Sequence, residues 1–326
     1  MRQIGGKMKY FITGGAGFIG SNMTDRLLSE PENEVVVYDN FSTGRREFLA
    51  DAMKNPRFTL VEGDTLDEAK LTEAMKGCDF VFHFAANADV RMGCEHPSKD
   101  LQQNTVATFH VLEAMRANGI KRIGFSSTGS VYGEAEVIPT PENAPFPIQT
   151  SLYGASKLAC EGLIAAYCEG FGFTGYIFRF VSILGERYTH GHVFDFYRKL
   201  SNDPTTMHVL GDGHQKKSYL YVKDCMEAIL TVIRNADEKV NIYNLGTDEY
   251  CEVNDSIGWI TKKLGVTPTL TYEGGERGWI GDNPFIYLDT KKVRSLGWEP
   301  KYTIEDGVIK TVEYLQKNPW VFSRKD

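Results

Sequence analysis

The stretch Thr13-Gly14-Gly15-Ala16-Gly17-Phe18-Ile19-Gly20 decides how the rest of this chain is read. It follows a short apolar run at 10–13 and opens an amphipathic run at 18–29, so it joins a predicted strand to a predicted helix. Its glycines have three separate tasks: Gly14 permits the tight turn, Gly17 lets backbone approach a pyrophosphate, and Gly20 lets the helix pack closely on the strand. The helix start adds unpaired N–H groups and the positive end of a dipole. The next apolar run, 34–39, ends in Asp39, roughly twenty residues downstream. An acid there would accept hydrogen bonds from both adenosine ribose hydroxyls and repel a 2′-phosphate. Arg45 and Arg46 lie nearby and blur that preference. Strand, turn, helix and acid together select dinucleotide binding over a turn that only eases packing, with NAD rather than NADP as the ligand. Asp64, after the third strand, is either an adenine contact or an aspartate near a helix N-cap.

Outward from this turn, apolar runs at 10–13, 34–39, 58–62, 80–85, 122–126 and 175–180 alternate with helical patterns at 18–29, 67–75, 101–118 and 153–169. Such alternation predicts right-handed βαβ units and an α/β fold with a Rossmann-type, doubly wound parallel sheet. Beyond about residue 180 the pattern is less regular. A loop-rich stretch is expected over 185–213, a strand–helix–strand unit over 218–222, 224–234 and 240–245, and helices at 253–264 and 304–317 around a glycine-rich turn at 274–281. The division that follows is a cofactor domain over 1–180 with a returning segment at 218–246. A smaller, discontinuous α/β substrate domain takes 181–217 and 247–326.

Composition narrows the function classes. The chain has 326 residues, 42% hydrophobic and 24% charged, enough apolar surface to exclude disorder. No run approaches the roughly 18 apolar residues of a membrane span. A net charge of −7 argues against nucleic-acid binding but not against an anionic small ligand in a locally basic pocket. The six cysteines form no CxxC pair, as expected of free thiols in a cytoplasmic protein with no structural metal. The first residues carry no secretory pattern and read as a short tail over 1–7.

Tyr153-Gly154-Ala155-Ser156-Lys157 sets a phenol and an ammonium one helical turn apart. A lysine so placed would lower the tyrosine pKa and make it a usable base. The spacing recurs at Tyr287 and Lys291, which have no dinucleotide turn beside them and read as a chance copy on a surface turn. The first copy follows Ser126-Ser127-Thr128-Gly129-Ser130-Val131-Tyr132-Gly133, at the end of the fifth strand, where parallel sheets place chemistry.

These motifs, with Asp39-Asn40, His83-Phe84-Ala85-Ala86, Gly211-Asp212-Gly213-His214-Gln215 and Tyr221-Val222-Lys223-Asp224, run in family order over most of the chain. The sequence resembles the extended short-chain dehydrogenases/reductases, specifically the NAD-dependent nucleotide-sugar epimerases and dehydratases. The resemblance implies a catalytic Thr128, Tyr153 and Lys157. Thr128 would hydrogen-bond the sugar 4-hydroxyl, Tyr153 would take its proton, and Lys157 would hold the nicotinamide ribose. Cofactor contacts would come from Gly14, Gly17, Phe18, Ile19, Gly20, Asp39, Asn40, Asp64, Ala85, Ala86, Asn104, Tyr153 and Lys157. It also implies a homodimer formed through the helices at 101–118 and 153–169.

The family's dehydratases carry Asp-Glu directly after the catalytic threonine, and other members a glutamate at the same place. Here those positions are Gly129 and Ser130, neither able to abstract a C5 proton. This favours 4-epimerisation through a transient 4-keto sugar. A net 4-dehydrogenase and a non-catalytic NAD-binding protein are the alternatives. Substrate contacts are expected from Asn87, Thr128, Ser182, His192, Lys217 and Arg277. Ser182 stands where the family usually has asparagine, and Lys217 where it commonly has arginine, which leaves the sugar nucleotide unnamed. His190 and His192 are expected on a surface loop, and Asn104 and Arg91 would serve equally in packing or capping.

Overall fold

The computed structural model describes residues 7–87, 93, 95–146, 148–275 and 285–323. Arg277, Arg91, Cys94, most of the expected N-terminal tail and most of the 274–281 turn therefore lie outside the described residues. The elements run β1 (Lys9–Thr13), α1 (Phe18–Leu28), β2 (Glu34–Asp39), β3 (Phe58–Glu62), α2 (Glu68–Ala74), β4 (Phe80–His83) and α3 (Pro97–Asp100). A π-helical turn, Leu101–Val106, leads into α4 (Ala107–Ala117), then β5 (Arg122–Thr128), α5 (Leu152–Phe171), β6 (Thr174–Phe180) and β7 (Ser182–Leu184). The chain continues through α6 (His192–Asn202), β8 (Thr206–Val209), β9 (Lys216–Lys217), β10 (Tyr219–Tyr221), α7 (Val222–Asn235) and β11 (Val240–Leu245). It closes with β12 (Cys251–Glu252), α8 (Val253–Leu264), β13 (Thr269–Tyr272), α9 (Lys291–Arg294) and α10 (Ile304–Lys317).

Seven of these strands form one sheet in the order β11-β6-β5-β4-β1-β2-β3, every pair parallel. The order reverses between β1 and β4, which opens a crevice at their carboxyl ends. Alternate residues point to opposite faces, as a two-residue period requires. Tyr10, Ile12, Val35, Val37, Phe80 and Phe82 share a core with Met23 and Leu27 of α1 and Ile229 and Val232 of α7. Phe11, Val36, Tyr38 and Val81 share the other with Leu71 of α2, Val111 and Met115 of α4, and Ile164 of α5. A third core joins α6, α8 and α10 through Val193, Phe196, Ile257, Ile260, Val308 and Val312.

Three expectations need correction. The stretch 185–213 is not loop-rich, because it holds α6 and β8; Val193, Phe194, Phe196 and Leu200 of α6 are buried in the third core. The predicted unit over 218–245 spans two sheets, because β10 pairs with β7 in a two-stranded sheet while β11 joins the main sheet beside β6. The helix expected over 101–118 begins as the π turn. Cys78, Cys160, Cys168, Cys225 and Cys251 are buried free thiols.

Helix α5 is fastened to the sheet by a buried ion pair. Arg179 of β6 meets Glu161 of α5 at 2.7 Å, with side chains 1% and 5% exposed. Arg179 Nη1 also donates to the Tyr132 hydroxyl at 2.7 Å, and Ser127 Oγ donates to Glu161. Removing one member leaves the other charge buried and unpaired. Arg179→Ala should therefore cost about 3–5 kcal/mol in urea unfolding, while replacing both members by apolar residues of similar volume should cost much less. Equal losses in the single and double variants would contradict this.

Candidate active site

The glycine turn leaves β1 into the gap beside β4. Gly14 has φ +68°, and a Cβ there would lie 2.6 Å from the Ala85 nitrogen. A Cβ on Gly20 would lie 2.2 Å from the Gly14 oxygen, so the start of α1 sits directly on the turn. The N-cap of α1, Gly17, makes no side-chain cap, leaving the first helical N–H groups without a side-chain partner. Asp39 ends β2 and accepts from the Ala16 nitrogen at 2.9 Å and the Phe41 nitrogen at 2.8 Å. Asn40 donates to Asp64 at 3.0 Å, and Asp64 also accepts from the Leu66 nitrogen. The actual N-cap of α2 is Asp67, which accepts from Lys70 N. Phe18 packs edge-on against Tyr188, and Ile19 lies against the first core. A bare glycine cradle, an uncapped helix start and a carboxylate at the next strand end fit a dinucleotide pyrophosphate and its ribose.

Behind the cradle lies a buried polar chain that sequence reasoning missed. Ala85 N donates to Thr13 Oγ1 at 3.2 Å, and Thr13 Oγ1 bonds His83 Nδ1 at 2.7 Å. His83 Nε2 meets Thr108 Oγ1 at 3.0 Å, and Thr108 donates to the Asn104 carbonyl at 2.7 Å. Donor and acceptor counting along this chain makes Nε2 the protonated nitrogen. Burial, aided by the Lys157 charge, pushes the His83 pKa down to about 3, so the ring is neutral. The only advance signal was the quoted His83-Phe84-Ala85-Ala86 motif.

Thr128, Tyr153 and Lys157 converge at the carboxyl end of β5. Thr128 Oγ1 accepts from Ser130 N at 3.1 Å, which caps the turn at Gly129–Tyr132, donates to Ser130 Oγ at 3.2 Å, and lies near enough to Tyr153 to act on its phenol. Lys157 is 2% exposed, donates to the Ser126 carbonyl at 2.8 Å, and stands 4.6 Å over the Phe125 ring. Burial lowers the Lys157 pKa to about 8. Burial raises the Tyr153 pKa, as does the nearby Asp100. The expected lowering of the tyrosine pKa by the lysine is thus overridden here by desolvation. The copy at Tyr287 and Lys291 shares no helix: Tyr287 precedes α9 and donates to the Asp248 carbonyl, while Lys291 is surface-exposed beside Asp289.

The other expected contacts separate into two groups. Asn87 and Asn104 are buried and bonded to each other, Asn87 N to Asn104 Oδ1 at 2.7 Å, with Ala85 and Ala86 half-buried just before them. Ser182 is exposed at the start of β7, and Lys217 is half-buried in β9. His192 is not a surface-loop residue: it starts α6 and hydrogen-bonds the Tyr219 hydroxyl, whereas His190 stacks on Tyr188.

Two outcomes follow from this geometry. Gly20→Ala should weaken NAD binding at least tenfold in a calorimetric or fluorescence titration, because the methyl group would overlap the Gly14 carbonyl. His83 sets a pH dependence of stability. Its folded pKa of about 3 lies below the ordinary 6.5, so between those values the unfolded chain binds a proton that the folded chain does not. Stability should fall as pH falls through this window, by about 1.4 kcal/mol per unit for this group. Unfolding of His83→Asn should show a shallower loss over about pH 6 to 4, and equal slopes would contradict the assignment.

A family model described as the NAD dependent epimerase/dehydratase family matches residues 10–246. A putative UDP-glucose 4-epimerase of Methanocaldococcus jannaschii is 34% identical over 315 residues, covering 94% of this chain and 98% of its own. A solved UDP-galactose 4-epimerase aligns with a TM-score of 0.86 at 39% identity, covering 96% of this chain and 100% of the other. The UDP-glucose 4-epimerase of Thermotoga maritima, solved with UDP-glucose, aligns at 0.86 with 31% identity, covering 96% and 100%. With the glycine cradle, the acid at the end of β2 and these matches in hand, the chain belongs to the NAD-dependent epimerase/dehydratase family and is an enzyme whose cofactor is NAD.

Proposed function

We propose that this enzyme is a nucleotide-sugar 4-epimerase working through a transient 4-keto sugar. The observation that carries the reading is the meeting of Thr128, Tyr153 and Lys157 at the end of β5, beside the glycine cradle, with no carboxylate at positions 129 and 130. Space supports the same reading, since a Cβ on Gly129 would lie 2.5 Å from Ile286 Cγ2. NAD held on the Gly14–Gly20 cradle would supply reversible hydride acceptance at sugar C4. Thr128 orients the 4-hydroxyl, and Tyr153 accepts its proton and later returns it. Lys157, as an ammonium, holds the nicotinamide ribose and stabilises the phenolate as it forms. The keto sugar turns over between the two half-reactions, so its opposite face receives the hydrogen. Gly14, Gly17, Phe18, Ile19, Gly20, Asp39, Asn40, Asp64, Ala85, Ala86 and Asn104 surround the cofactor in this reading. Asn87, Ser182, His192, Lys217 and Arg277 surround the substrate, with 181–217 and 247–326 forming its domain.

A cytoplasmic homodimer belongs to the same reading. Leu101 and Phe109 before and on α4, and Leu152 and Phe171 on α5, are 53%, 42%, 44% and 46% exposed, an apolar surface suited to a second copy. The names of the similar proteins make UDP-glucose and UDP-galactose the first sugars to try, followed by UDP-GlcNAc and the GDP and CDP sugars.

The test follows C4 configuration and reduced-nicotinamide absorbance together. Interconversion of C4 epimers without net reduced cofactor is expected. Stoichiometric reduced cofactor without an epimer would favour a net dehydrogenase instead. Tyr153→Phe should lower kcat by 10²–10⁴-fold while leaving NAD binding intact, and wild-type turnover in that variant would remove Tyr153 from the mechanism.

A further inference from the structure

Asp100 has no part in the roles above, yet it is 1% exposed at the end of α3, where the chain enters the π turn. Its Oδ1 accepts from Asn87 Nδ2 at 2.9 Å and from Asn104 Nδ2 at 3.3 Å. Among the described residues its Oδ2 is buried with no hydrogen-bond partner, and a Cβ on Gly93 would lie 3.2 Å from it. A carboxylate held this way is costly unless an opposite charge shares its surroundings. That charge is Lys157, which is equally buried and forms no ion pair with a carboxylate among the described residues. The two are mechanically linked. Asn104 Nδ2 donates to Ser156 Oγ at 2.8 Å, and Ser156 Oγ donates to the Tyr153 carbonyl at 2.8 Å, on the turn of α5 that carries both catalytic side chains.

An inventory of the groups around the pair leaves Asp100 as its unspent anion. From α5, Glu161 acts on Lys157 ahead of Asp100 but is already matched to Arg179, and burial raises the Cys160 thiol pKa, so that group is neutral. From β4, His83 is neutral. From β5, Thr128 offers a hydroxyl without charge. Asp100 acts on both Tyr153 and Lys157 through space.

We propose that Asp100 is a positioning residue that sets the charge balance of the Tyr153–Lys157 pair, a fixed anion clamped by Asn87 and Asn104 that keeps Lys157 an ammonium in the resting enzyme. Its catalytic consequence rests on the reading of Tyr153 and Lys157 given above, but its electrostatic content does not. The sign is fixed: removing the negative charge makes the ammonium easier to deprotonate.

The experiment is an NMR pH titration of the Lys157 Cε shift, assigned by its loss in Lys157→Met, in wild type, Asp100→Asn and Asp100→Glu, with no sugar present. The midpoint should fall by roughly one pH unit in Asp100→Asn and return toward wild type in Asp100→Glu. Asp100→Ser is the second neutral variant should the asparagine not fold. The alkaline limb of the pH–kcat profile should move down by the same amount. An unchanged midpoint in a folded neutral variant would overturn the proposal, as would a lower kcat on an unshifted profile, the signature of a purely structural role. Should no sugar nucleotide be turned over, the titration still decides the matter, because it needs neither substrate nor turnover.

Discussion

Everything at the carboxyl end of the sheet depends on one close backbone approach, Gly14 against Ala85. A Cβ on Gly14 would also lie 2.8 Å from the Ala85 Cα, so only glycine lets β1 turn this near the end of β4. Here the strand order reverses, and the two loops must pass each other to opposite faces. Gly20 repeats the device one layer up, seating α1 on the turn. The polar chain through Thr13, His83 and Thr108 then ties this approach to the π turn and to α5. The glycine cradle and α5 are thus two ends of one rigid object.

That rigidity has an electrostatic counterpart. The same enclosure that fixes the side chains removes water from them, and desolvation decides each ionisation. It keeps His83 neutral, lowers Lys157 to about 8 and raises Tyr153. A lysine one turn from a tyrosine invites the inference that it lowers the tyrosine pKa. In this protein the ammonium faces the Ser126 carbonyl and the Phe125 ring, and the desolvation of the phenol outweighs its influence. The phenol is therefore held in its protonated form.

The parts legible in the sequence share a physical cause. β2, buried on both faces, reads as an apolar run and coincides with the predicted 34–39, and the edge strands β3 and β11, only partly buried, still coincide with 58–62 and 240–245. Helices α8 and α10 coincide with 253–264 and 304–317, because each carries an apolar stripe and a capping box. What failed was short or decided at a distance. β7 is three residues, too brief to show a period, and β10, which lies within the expected 218–222, joins it in a separate sheet that only tertiary contacts settle. α6 hides between Gly185, Gly191 and a run of polar residues, although Val193, Phe194, Phe196 and Leu200 form a proper buried stripe. Asp100 was illegible for another reason. Pro97-Ser98-Lys99-Asp100 reads as an exposed helix start, and nothing local announces that the π turn will carry its last residue inward.

The absence of an acid after Thr128 is local in sequence but not in space. The strip at 285–288 runs beside the turn that follows β5, with Thr140 N donating to the Tyr287 carbonyl at 2.8 Å and Asp289 N to the Thr140 carbonyl at 2.9 Å. Gly129, Tyr132, Gly133 and Thr140 meet Phe285, Ile286 and Leu288 around a shallow, open recess. A side chain at 129 would have to displace Ile286 to enter it. The residue tolerated beside the catalytic threonine is therefore coupled to a segment more than a hundred residues away. A single substitution at 129 that adds an acid would meet the wrong wall. What residue 129 can carry is then set by two chain segments in contact, which the motif at the end of β5 describes only in part.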